Sequence, residues 1–322
     1  MTDDANRPPA ESGRLSRRTF LELSAAAGTL AALGGAGLAL AGGDDLLRKK
    51  IPASGQKIPV IGLGTARTFG VDPSDAAAMK PLRAVMKRFY DGGGRLVDSS
   101  PMYGQAEAVT GKLARDLGIT DKLFMATKVW TRGREAGIAE MERSEKLMRG
   151  GPLDLIQVHN LVDLDTQLET LIRWRAEKRV RYIGVTHSSD RAHEALTQVV
   201  ERAPIDFVQL NYNLMDRDAD KRLLPAAAHK GVAVLVNVPF GNGALFRRVR
   251  GAKLPPWSKE VGAKSWAQLF LKFVVSHPAV TCALPATSDP AHMTDNIGAC
   301  HGHLPTAKQR ARIAAFFDAL PG

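Results

Sequence analysis

Four side chains carry the chemistry that can be read from this sequence: Asp98, Tyr103, Lys128 and His159. A free phenol has a pKa of about 10 and gives up its proton reluctantly near neutrality. An ammonium beside it lowers that value by stabilising the phenolate, and a carboxylate holds the ammonium in place. Lys128 would then tune Tyr103, Asp98 would pair with Lys128, and His159 would orient the group that takes the proton. Each residue also has a plainer role when taken singly: a turn or helix cap, a salt-bridged lysine, a hydrogen-bonded histidine. Together, a phenol, an ammonium, a carboxylate and an imidazole make a proton-donating site.

The elements that must position them are short apolar runs that read as strands, at 95–98, 123–128 and 155–159. Each candidate side chain lies at or just after the C-terminal end of such a run. Further strand-like runs begin near Val60, Arg181, Phe207, Val232 and Val280, alternating with helical patterns. The spacing is mostly roughly 25 to 35 residues, the length of one strand and its helix. Eight such units without a plausible linker predict a single α/β domain over residues 42–322, a closed (β/α)8 barrel. That length is close to the ~250 residues typical of the fold, whose chemistry gathers at the C-terminal ends of its strands. Residues 50–59 read as a hairpin around Ser54-Gly55. Gly92-Gly93-Gly94 precedes a strand, the wrong order for a phosphate-binding loop, and reads as a helix C-cap and turn.

Residues 1–41 are expected to be an export signal. Ser16-Arg17-Arg18-Thr19-Phe20-Leu21 resembles a twin-arginine motif, with Glu22 departing from the usual Lys. An uncharged Ala/Gly/Leu run follows from Ser24, and Ala39-Leu40-Ala41 offers a cleavage site. If kept, the run just reaches the length of a membrane anchor. Cleavage after delivery by the twin-arginine translocation machinery would leave a periplasmic protein without stable membrane association. The net charge of +11 favours anionic partners in general. Its basic residues are scattered, apart from a cluster at Arg247, Arg248, Arg250 and Lys253, and no motif points to nucleic acid. Cys282 and Cys300 form no disulfide framework and are expected as buried thiols. His301-Gly302-His303 stands isolated, so no metal site is expected.

The stretch from Val97 through Asp98, Ser99, Ser100, Pro101, Met102, Tyr103 and Gly104 to Glu107 resembles the Asp-x4-Tyr-Gly-x-x-Glu signature of the aldo-keto reductases. Ala126-Thr127-Lys128-Val129 is similar to their lysine strand, Asp154 to His159 to their histidine strand, and Val180 to Thr186 to the strand after it. The resemblance covers about residues 57 to 320. It implies a barrel plugged at the bottom by the hairpin, and an NAD(P)H-dependent reductase acting on a small aldehyde or ketone. It places the dinucleotide on Gly64, Thr65, Thr186, His187, Gln209, Phe240, Asn242, Thr287, Ser288, His292, Asp295 and Asn296.

Several positions depart from the family pattern. Thr186-His187 stands where Ser-Asn usually grips the nicotinamide carboxamide, and Asn237 where an aromatic commonly stacks on the ring. Ala286 and His292 replace the Lys and Arg that often clamp the 2′-phosphate, so NADP, the family's default, is open to replacement by NAD. The loop between the last two strands would fold over the pyrophosphate, hinged at Gly241 and Gly243, with Arg247 or Arg248 meeting phosphate; a solvated basic loop is the alternative. For the whole chain the alternatives are a dinucleotide-binding or sensing barrel with little turnover, and a barrel lyase or isomerase using Lys128 for a Schiff base.

Overall fold

The structure is a computed structural model and describes residues 46–320. The export signal expected at 1–41 lies outside the described residues. The described residues open with an antiparallel hairpin, β1 (Arg48–Lys50) and β2 (Lys57–Pro59), with Gly55 at φ +73 in its turn. Eight parallel strands follow: β3 (Leu63–Gly64), β4 (Leu96–Asp98), β5 (Phe124–Val129), β6 (Leu155–His159), β7 (Tyr182–Thr186), β8 (Phe207–Asn211), β9 (Ala233–Asn237) and β10 (Val280–Ala283). They pair in chain order. Parallel bridges Ile61↔Ala283 and Gly64↔Ala286 bring the first strand to the last and close the barrel.

The strands are short, rich in branched apolar residues and buried on both faces, as parallel strands under a helical layer must be. Side chains alternate between the two faces. Val97, Met125, Ile156, Val158 and Val208 join the layer against the helices, while Leu96, Phe124, Leu155, Tyr182 and Phe207 fill the barrel. Phe124, Tyr182 and Phe207 pack ring against ring at the N-terminal end of the strands. Ile51 and Ile58 of the hairpin belong to this inner cluster, and the Tyr182 hydroxyl donates to Ser54 Oγ at 2.7 Å. The hairpin is therefore the expected plug. Continuing the alternation toward the C-terminal ends turns Asp98, Lys128, Gln157, His159, Thr186, Gln209 and Asn237 to the same inner face.

Helices α1 (Ala76–Asp91), α2 (Ala106–Asp116) and α3 (Arg134–Met148) cover the first strands. After α1 the three glycines make the expected stop: the N–H groups of Gly92, Gly93 and Gly94 return to the carbonyls of Arg88, Tyr90 and Phe89. Cys282 and Cys300 are buried free thiols. Among the described residues, no helix is long and apolar enough to cross a membrane.

Gly111 shows how closely the helical layer packs. A Cβ there would lie 1.9 Å from the Leu147 carbonyl oxygen of α3, where only backbone could yield. Gly111→Ala is expected to cost about 1–3 kcal/mol by overpacking. Gly151→Ala, at a site with nothing within 4 Å, should stay within about 0.5 kcal/mol of the parent. Urea unfolding of both variants checks this.

Candidate active site

Strand parity and strand ends bring the four sequence-predicted residues together. Lys128 is fully buried on β5, and its ammonium donates to Asp98 Oδ2 at 2.7 Å and to the Ser99 carbonyl at 2.6 Å. Gln157 approaches the other carboxylate oxygen at 3.4 Å. Two charges leave water here, and the pair holds only because each finds its partner at hydrogen-bond distance. Tyr103 ends a short 3-10 turn, Pro101–Tyr103, that follows β4. The Lys128 ammonium lies 5.1 Å from its ring centre, and the His159 ring meets it edge-on at 5.9 Å. Trp130 borders the imidazole at 6.4 Å.

Electrostatics corrects one expectation. Burial raises the Tyr103 phenol above its ordinary value; the Lys128 ammonium pulls it down and the Asp98 carboxylate pushes it up, leaving a net rise. The sign of the lysine's effect is as expected, but desolvation outweighs it. Burial also acts to lower Lys128, yet the Asp98 carboxylate and Tyr103 more than offset this, and it stays an ammonium. His159 is brought down to about 3 by burial, reinforced by Lys128 and His187, so it is neutral at physiological pH. The resting site thus holds a protonated phenol, an ammonium and a neutral imidazole.

The site opens on a cavity of about 1010 Å³, lined among others by Gly64, Thr65, Asp98, Tyr103, Asn237, Phe240 and Asn242. A second cavity of about 380 Å³ shares Phe240, Phe246 and Ala286 with it and is lined further by Trp266, Thr287, His292, Asp295 and Asn296. Other sequence-predicted residues support these walls instead of forming them. The Thr186 hydroxyl donates to Gln209 Oε1 at 2.7 Å. His187 accepts from the Ser189 N–H through Nδ1, and its neighbour Ser188 is the one that lines the large cavity. Ser288 is exposed and lines neither. Of the basic cluster, Arg248 donates to the Leu320 carbonyl at 2.8 Å and stacks over Phe317, and neither it nor Arg247 lines either of these two cavities.

Some wall residues were not singled out in the sequence. Arg67 reaches across to Asn242 Oδ1 at 3.4 Å, joining the loops after β3 and β9. Both residues have positive φ, as does Val238, whose carbonyl is held by Asn213 Nδ2 at 3.2 Å. A β-branched residue in the left-handed region is strained by about 1–3 kcal/mol, and such strain clusters at ligand sites. The usable signal was their place directly after strand ends. Ser100 sits within the quoted motif but was given no role.

A family model described as the aldo/keto reductase family matches residues 60–317. The chain belongs to the aldo/keto reductase family. Among curated aldo/keto reductase relatives, it is 28% identical over 203 residues to the aldo-keto reductase YhdN of Bacillus subtilis (strain 168), a match spanning 58% of this chain and 59% of that protein. It is 26% identical over 271 residues to the methylglyoxal reductase YeaE of Escherichia coli (strain K12), covering 81% and 92% respectively. An aldo-keto reductase from Klebsiella pneumoniae in complex with NADPH shares the fold, with a TM-score of 0.69, 24% identity, and coverage of 84% of this chain and 96% of that one. The holo form of AKR11C1 from Bacillus halodurans does likewise, at a TM-score of 0.67, 22% identity and the same coverages.

The buried pair gives a direct test. Lys128→Met leaves Asp98 a buried carboxylate without its cation and is expected to cost about 3–5 kcal/mol in urea unfolding. Combining it with Asp98→Asn should recover much of that loss; a double variant as unstable as the sum of both singles would contradict the pairing.

Proposed function

We propose that the protein is an NAD(P)H-dependent oxidoreductase that reduces a small aldehyde or ketone to an alcohol. The observation that carries this reading is the protonated Tyr103 beside a buried ammonium at the wall of a large cavity.

A dinucleotide's nicotinamide carries a carboxamide, both donor and acceptor. Gln209 Nε2 and Asn237 Oδ1 are a buried donor and a buried acceptor without partners among the described residues, which fits such a group. When bound, the reduced nicotinamide supplies the hydride that no side chain can. Asn237, with Gly64, Thr65, Phe240 and Asn242, would face the nicotinamide and pyrophosphate end; Thr287, His292, Asp295 and Asn296 would face the adenosine. Thr186 fixes the Gln209 amide by its hydrogen bond.

The proton comes from Tyr103. Its raised pKa keeps the proton in place until negative charge develops on the carbonyl oxygen. As the proton leaves, the phenolate forms beside the buried Lys128 ammonium, where their attraction is worth more than it would be in water. Asp98 keeps the ammonium in position. Neutral His159 is a hydrogen-bond donor that can orient the carbonyl without competing for the proton. Met102 and Trp130, both large and exposed, border the approach and favour a substrate with an apolar portion. Export by the twin-arginine route belongs to the same proposal, supported by Arg17-Arg18 and the uncharged run behind them.

The lining of the smaller cavity supports a cofactor without a 2′-phosphate. It holds no Lys or Arg; its ionisable members are Asp295, bonded to Gln268 Nε2 at 2.7 Å, and His292, which is 73% exposed. A 2′-phosphate finds no guanidinium fork there. Calorimetry should therefore find NADH bound at least as tightly as NADPH, and His292→Arg should favour NADPH. Tyr103→Phe should lower carbonyl turnover by at least ~100-fold with dinucleotide affinity nearly unchanged. Full turnover in Tyr103→Phe would remove the tyrosine from the reaction, and tight binding with no turnover of any carbonyl by the parent would favour a sensing barrel.

A further inference from the structure

The hydroxyl of Ser100 is the contact that nothing above accounts for. Its side chain is fully buried, and its Oγ lies 3.0 Å from Nδ1 of His159. The same oxygen accepts the Met102 N–H at 3.1 Å, and the Ser100 carbonyl accepts the Tyr103 N–H at 3.0 Å. Ser100 is thus the cap of the turn that carries the tyrosine and, at once, the neighbour of the imidazole.

The proton inventory decides which group donates. A serine hydroxyl has one proton and two lone pairs, and a neutral imidazole has one proton on one of two nitrogens. If Ser100 donates to Nδ1, both atoms of the contact are met: the oxygen keeps its bond from Met102, and the imidazole proton sits on Nε2, which is not among the buried unpartnered atoms. If Nδ1 donates to Ser100, the buried hydroxyl proton has no acceptor among the described residues, a cost that the first arrangement avoids. Nε2 has no hydrogen-bond partner among the described residues, which leaves it for a ligand.

We propose that Ser100 fixes the tautomer of His159, holding its proton on Nε2 so that this nitrogen is the donor offered to the carbonyl oxygen. Ser100 is a positioning residue: it touches neither substrate nor cofactor and acts through His159. One residue then sets both partners of the carbonyl, the tyrosine through its backbone turn and the histidine through its tautomer. The inference rests on the reductase reading for its purpose, but the tautomer itself is a property of the protein without ligand.

Nitrogen-15 NMR of the full chain labelled at histidine reads the tautomer directly, with His159→Gln identifying the signal. The wild type should show a protonated Nε2 and a bare Nδ1. Ser100→Ala should populate the other tautomer and lower kcat for a carbonyl panel about tenfold, the lower end of the range for removing the partner that orients a metal-binding histidine. Dinucleotide affinity should not change, and Ser100→Thr, which keeps the hydroxyl, should restore both tautomer and kcat. A wild-type His159 protonated on Nδ1 overturns the proposal, even if neither variant folds. So does a Ser100→Ala protein whose Nε2–H form is undiminished. A parent that reduces no carbonyl yet shows the Ser100-dependent tautomer would sink the reductase reading and leave this assignment standing.

Discussion

The rest of the site depends on one ion pair. Lys128 and Asp98 are taken out of water together, 2.7 Å apart, on adjacent strands of a closed barrel. Neither charge could be there alone, because an unpaired buried charge would neutralise or unfold its surroundings. Once paired, the ammonium has a fixed position and a proton it does not lose. That gives Tyr103 a permanent positive neighbour. The phenol is kept protonated by burial and is ready to lose its proton when a negative charge on it would be rewarded. Desolvation and attraction thus act at different moments: the first sets the resting state, the second the state after transfer.

Strand geometry explains why the residues meet. From β4 to β9 the bottom is apolar or aromatic and inward, as with Phe124, Leu155 and Phe207, and the top carries polar groups at the same parity, as with Lys128, His159 and Gln209. The aromatic layer and the hairpin seal one end, so stability is drawn from the bottom and chemistry from the top. The wall residues come instead from loops after the strands, where backbone strain at Arg67, Val238 and Asn242 is tolerated.

Much of this was legible in the sequence because it depends on local pattern. The runs at Phe207 and Val280 become strands where they were expected to begin, and the hairpin forms around Gly55. The first strand pairs with β4 only from Leu63, later than Val60 suggests, while Val60 and Ile61 meet Ala283 across the closure. The four central side chains were legible as a set since type, order and strand-end position coincide. What was not legible depends on distances across the barrel. Whether burial or Lys128 dominates at Tyr103 is a contest between depth and proximity that spacing does not encode. Nor does the sequence show that Arg248 is drawn away to Leu320, that Ser188 reaches the cavity where His187 does not, or that Ser100 meets His159.

The balance at Tyr103 is the central claim, and it is measurable in the protein without dinucleotide. Carbon-13 labelling of the tyrosine Cζ, with Tyr103→Phe to identify the signal, follows the phenol through an alkaline titration. The account predicts that Tyr103 ionises above the ordinary value of about 10, with burial outweighing the ammonium. A Tyr103 that ionises below that value would mean that Lys128 dominates the resting site, and would contradict it.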